Sequence, residues 1–147
     1  MNSFVQLAAL TAISVSAAGV SWLVKGPSEE TALHQCDPSN LKGDEICLND
    51  VTGKVLWVDS RPRQEWEDNG LEGSILWNLD PNENQQTFEA DSAIKVMEAD
   101  LVVVYCESQA CGTSRQVADL IRNLQLGPRV KVLHGGWDAL KDSSPAS

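Results

Sequence analysis

Basic residues are scarce in this 147-residue chain. Lys and Arg number 11 against 21 Asp and Glu, and the formal net charge is -10. Binding to phosphate needs a basic face, so nucleic acid is excluded as a partner. Adhesion to anionic lipid by charge alone is excluded for the same reason. There are four cysteines (Cys36, Cys47, Cys106 and Cys111), too few for a disulfide-dense scaffold. None stands in a C-x-x-C pair, and the two histidines, His34 and His134, are isolated. Zinc-site spacing is therefore missing, and neither metal nor cofactor is expected. No internal repeat or low-complexity tract is present. At 42% hydrophobic and 22% charged residues, the composition excludes disorder of the whole chain.

A long uncharged run opens the chain, from Phe4 to Val24. As a helix rising ~1.5 Å per residue it would be about 30 Å long, enough to cross a hydrocarbon core. Trp22 suits the interface, and Lys25 follows where it can snorkel. A single-pass membrane anchor is therefore expected over residues 1–25. A cleaved secretory signal is the rival reading, with small residues at Ser16-Ala17-Ala18, but no basic residue precedes the run. Lys25 favours a cytoplasmic domain. On the oxidising side, Cys36 and Cys47 could instead pair with each other. Residues 26–43 carry Gly26, Pro27, Pro38 and Gly43 and read as a linker. One domain is expected over residues 44–147.

Strand and helix signals alternate in that domain. Short or apolar runs at 46–48, 55–58, 74–77, 101–105 and 130–133 predict strands, the strongest being Leu101-Val102-Val103-Val104-Tyr105. Helices are predicted at 62–68, 88–98, 113–124 and from Trp137. The second takes its spacing from Ala93, Ile94 and Met97, and the third from Val117, Leu120, Ile121 and Leu124. Such alternation predicts an α/β fold, with a mostly parallel central sheet and helices on both faces. Ligands of such sheets bind beyond the carboxyl ends of the strands.

The strongest strand runs into Cys106-Glu107-Ser108-Gln109-Ala110-Cys111-Gly112-Thr113-Ser114-Arg115. A cysteine that ends a buried strand ahead of a helix start can meet inward loop amides and the positive end of the helix. Both favour a thiolate, as does a neighbouring arginine such as Arg115, while Glu107 opposes it. A small buried cysteine closing a strand is an equally good reading of the position alone. His134 ends the last strand and reads more readily as structural than as an acid or base. Trp57 and Trp77 fall on strand patterns. Trp66 and Trp137 fall on short helices where they can wall a pocket.

Four stretches resemble the rhodanese-like family, in its order and spacing: V-L-W-V-D-S-R at 55–61, G-S-I at 73–75, V-V-V-Y-C at 102–106 and V-L-H-G-G-W at 132–137. The resemblance spans roughly residues 45–141. It implies a rhodanese-like fold and a Cys106 nucleophile that holds a persulfide. Asp59 and Arg61 then border and brace the site, with Gly135, Gly136 and Trp137 as the turn beside it. The family's usual His before the glycine near 73 is missing here. The loop length resembles that of phosphatases and arsenate reductases on the same fold, but those need an arginine where Gly112 stands.

Cys111, five residues on from Cys106, fits a resolving thiol, which would release sulfur by closing a disulfide. Equally, it fits a small loop residue. The Cys-x4-Cys loop also resembles that of a membrane-associated branch of the family. The leading expectation is a sulfurtransferase that moves sulfane sulfur from a small sulfur-containing anion, such as thiosulfate, to a thiol or cyanide acceptor. The alternatives are a thiol-disulfide enzyme using Cys106 and Cys111, and a catalytically silent binding module at the membrane. No particular protein partner is implied.

Overall fold

The computed structural model describes residues 36–108 and 112–141. Five strands form one sheet: β1 (Glu45–Ile46), β2 (Val55–Asp59), β3 (Ile75–Leu76), β4 (Leu101–Tyr105) and β5 (Arg129–Leu133). Their order across the sheet is β1-β5-β4-β2-β3. Every pairing is parallel, from Glu45 beside Val132 at one edge to Asp59 beside Leu76 at the other. Parallel strands need crossover connections, and these supply the helices α1 (Arg63–Asn69), α2 (Gln85–Met97) and α3 (Thr113–Asn123), while α4 (Gly136–Lys141) follows β5. Single 3-10 turns cover Pro38–Asn40 and Leu48–Asp50.

The central strand explains why its sequence is a continuous apolar run. All five residues of β4 are buried. Val102 and Val104 face one apolar layer with Phe88 and Val96 of α2 and Val117, Ala118 and Ile121 of α3. Leu101, Val103 and Tyr105 face the other, with Leu133 and Leu140 and the flanking Trp57 and Trp137. Alternation of period two therefore places apolar side chains on both faces, and each buried valine or leucine contributes roughly 1.5–3 kcal/mol.

One helix face differs from expectation. In α2 the buried residues are Phe88, Ser92 and Val96, while Ile94 is 65% and Met97 55% exposed. The buried stripe runs at i, i+4 and i+8, and its middle member is a serine, which disguises it. The helix starts at Gln85, ahead of Phe88, because the Asn84 side chain accepts hydrogen bonds from Gln86 N (2.9 Å) and Thr87 N (3.4 Å). In α3, Val117 and Ile121 are buried, and Leu120 and Leu124 pack against the same layer.

The compact unit that holds the sheet begins at Cys36. Residues from Cys36 onward, expected to end the linker, are tied to the domain by a disulfide from Cys36 to the buried Cys47, just after β1. Asp37 caps the turn between them by accepting from Ser39 N at 2.9 Å. Among the described residues no helix is long and apolar enough to cross a membrane. The expected anchor at residues 1–25 lies outside those residues. Closing a loop of this length should stabilise the domain by about 2–3 kcal/mol. Cys36→Ser should therefore lower the unfolding free energy by that amount in urea titration, and dithiothreitol should destabilise the parent protein but not the variant.

Candidate active site

Strand order reverses between β2 and β4, because β2 continues to β3 on one side and β4 to β5 on the other. In a parallel sheet the crevice beyond the strand ends at this point is where ligands bind. The loops after β2 and β4 meet there. Ser60 joins them, donating to the Tyr105 carbonyl from its N–H (2.9 Å) and its hydroxyl (2.8 Å).

Cys106 follows β4 at this crevice and is 2% exposed. Its thiol donates to the Ser108 carbonyl oxygen at 3.2 Å, and Ser114 Oγ, in the first turn of α3, lies 3.4 Å from the sulfur. A hydroxyl can donate to the sulfur once the proton leaves, whereas the Ser108 carbonyl favours the protonated form. Gln109, Ala110 and Cys111 lie outside the described residues. Gly112 caps α3 without a side chain, and Thr113 begins it. Arg115 does not face the loop as expected. Its guanidinium donates to Glu45 of β1 at 2.6 Å and lies 3.5 Å from Asp44, just before that strand.

The turn after β5 sits against the loop backbone. Trp137 N–H donates to the Cys106 carbonyl at 2.7 Å. Gly136 has a φ of 58°, and a Cβ there would lie 2.5 Å from that same carbonyl oxygen. Only glycine fits so close an approach. His134, just before this turn, lies 3.4 Å from Glu45 through Nδ1.

Asp59 and Arg61 form the site's buried ion pair. Arg61 Nη2 donates to Asp59 Oδ2 at 2.8 Å and Nε to Oδ1 at 3.1 Å, with both side chains at most 2% exposed. Burial works against the Arg61 charge, but the hydrogen bonds and attraction of Asp59 outweigh it and raise the pKa. The same guanidinium donates to Asn69 at 2.9 Å and lies 4.1 Å from the centre of the Trp137 ring. Trp137 in turn stacks on Tyr105, whose pKa is pushed up to about 12, first by burial. Trp137 therefore walls the site. Trp66 turns away, donating to Ser74 at 3.0 Å and packing into the layer with α2 and α3.

Glu65 and Glu107 flank the outer face of Arg61, each 3.8 Å from Nη1. Glu65 keeps its proton to a higher pH than an ordinary glutamate, first through a hydrogen bond with Glu107 and then through burial. Stability from that shared proton is full at low pH and lost as pH rises through the raised value. Sequence reasoning missed Ser60, Glu65 and Asn69. The i to i+4 spacing of Arg61 and Glu65 was the one available signal. Among the described residues, no group of three His, Cys, Asp or Glu is placed to hold a metal ion.

A family model for the rhodanese-like domain matches residues 47–143. The chain belongs to the rhodanese-like family. No curated protein matches it. Similar solved structures include the N-terminal domain of a Clostridium difficile protein, at 18% identity over 66% of this chain and 95% of that one, with a TM-score of 0.46. A Bacillus halodurans protein is 24% identical over 62% of this chain and 61% of its own, with a TM-score of 0.45. A Rhodopseudomonas palustris protein, described as of unknown function and a possible tyrosine phosphatase, is 24% identical over 63% and 70%, with a TM-score of 0.41.

In this rhodanese-like domain, removing one member of the buried pair strands the other. Asp59→Ala should cost about 3–5 kcal/mol in urea unfolding, and replacing both partners with Leu and Met should cost much less. An equal loss in the double variant would show that packing, not the stranded charge, sets the penalty.

Proposed function

We propose that this rhodanese-like domain is a sulfurtransferase working through Cys106. The observation that carries the proposal is the position of Cys106: a buried sulfur at the end of the central strand, at the reversal of strand order, within a domain matched by the rhodanese-like family model. The Cys106 thiolate attacks the outer sulfur of a sulfane donor. A new S–S bond forms at Cys106, the donor's S–S bond breaks, and the leaving thiolate or sulfite takes the electron pair. An acceptor thiolate, or cyanide, then attacks the outer sulfur and releases Cys106. This is covalent catalysis with no net redox change. The Ser114 hydroxyl, 3.4 Å away, supports the thiolate.

Phosphatase chemistry ranks below this. Gly112 brings no guanidinium, and Arg115 is held by Glu45 and Asp44. We read Cys111 as the resolving thiol that frees sulfide by closing a disulfide with Cys106. Residues 1–25 are read as the membrane anchor. The Cys36–Cys47 disulfide favours a domain on the oxidising side, against the Lys25 signal.

Sulfide release separates the roles. Cys106→Ser should abolish it, since a hydroxyl forms no persulfide. Cys111→Ser should load sulfur in a single turnover at a rate close to the parent's, yet release sulfide at least tenfold more slowly without added thiol. An active Cys106→Ser beside an inactive Cys111→Ser would overturn the assignment.

A further inference from the structure

We infer that the Cys106 site takes sulfur from an uncharged or cationic persulfide rather than from a dianion such as thiosulfate, and that Glu65 and Glu107 set this preference. The inference rests on the persulfide reading and names its donor class. Two arginines stand near the loop, and neither is available to a ligand. Arg61 is 2% exposed and spends its donors on Asp59 and Asn69. Arg115 is spent on Glu45 and Asp44. Residues 106–114 contain no Lys, Arg or His at all.

The charges that do reach solvent here are negative. Glu107 is 61% and Glu65 43% exposed, and both lie over the same Arg61 nitrogen. Asp59 already neutralises that guanidinium, so the two carboxylates leave the rim net negative. Glu107 is bonded to Cys106, so its carboxylate lies within roughly a Debye length, about 8 Å, of the reacting sulfur. Closer in, the Ser108 carbonyl oxygen points at that sulfur from 3.2 Å. The rim carboxylates and the Ser108 carbonyl oxygen both repel an approaching dianion. A cationic persulfide is drawn in by the same groups, with the whole chain's charge of -10 behind them. The transfer itself balances as above: the persulfide's S–S bond breaks, its inner sulfur leaves as a thiolate and takes up a proton, and Cys106 keeps the outer sulfur.

Charged methanethiosulfonates test this without any sulfur transfer. In each, the thiolate forms a disulfide and methanesulfinate leaves. The protein is the full chain carrying Cys111→Ser, so that with Cys36 and Cys47 paired the one remaining thiol is Cys106. Rates are measured with trimethylammonium-ethyl, methyl and sulfonato-ethyl reagents and divided by those of β-mercaptoethanol. The corrected cationic-to-anionic ratio should be on the order of tenfold or more at low salt and should shrink as salt is added. Adding Glu65→Gln and Glu107→Gln should collapse the ratio, with the methyl reagent normalising any change in access. A ratio near one, or a ratio that the two glutamines leave unmoved, overturns the inference. If the ratio holds but cysteamine persulfide never loads Cys106, the sulfurtransferase reading fails instead. If both hold and thiosulfate still outpaces cysteamine persulfide, the donor class is wrong.

Discussion

The buried pair of Asp59 and Arg61 is the interaction on which the site depends. A guanidinium at 2% exposure is tolerable only if its donors are met. Asp59 accepts from Nε, shared between Oδ1 and Oδ2, and from Nη2, and Asn69 accepts from Nη1, so each guanidinium nitrogen has a partner. Because Asp59 ends β2 and Asn69 ends α1, satisfying one cation fixes the connection between them. The flat face of the same cation lies against Trp137, whose N–H holds the Cys106 carbonyl. One charge thus reaches the backbone of the nucleophile through a single ring. Gly136 completes the arrangement from the other side, since any larger residue would strike that carbonyl.

Much of this was legible in the sequence, for identifiable reasons. The run Leu101–Tyr105 is apolar at every position because both faces of β4 are covered, and such a run announces a central parallel strand. The Asp-x-Arg after β2 and the Gly-Gly-Trp after β5 were tied to the site only through the family resemblance. The face of α2 was misread because Ser92 occupies a core-facing position, so Ile94 and Met97 looked like the apolar stripe. Arg115 was misassigned because sequence spacing does not show which neighbour a long side chain will choose. Two carboxylates at the start of β1, Asp44 just before it and Glu45 within it, hold the side chain instead. Long-range choices of this kind depend on sheet order, which local pattern does not contain.

Electrostatics and covalent structure act together at the edges of the domain. The disulfide from Cys36 holds the chain just after β1, and β1 carries Glu45, which grips Arg115 of α3 and faces His134 before the Gly135-Gly136 turn. Glu45 is therefore a link between the two elements that flank the Cys106 loop. Its pKa is lowered although burial opposes this, because Lys42 N–H, His134 and Arg115 together favour the carboxylate. The stabilisation from this charge is present above the ordinary glutamate range and is lost as pH falls through the lowered value.

Whether Cys106 carries sulfur decides what this domain does. The direct measurement is peptide mass spectrometry of the full chain after one equivalent of cysteamine persulfide, quenched by rapid alkylation. One added sulfur is expected on the Cys106 peptide, removable by a second thiol, or the Cys106–Cys111 disulfide that its release as sulfide leaves behind. An unmodified Cys106 in folded protein, or sulfur carried on Cys111 alone, would contradict it.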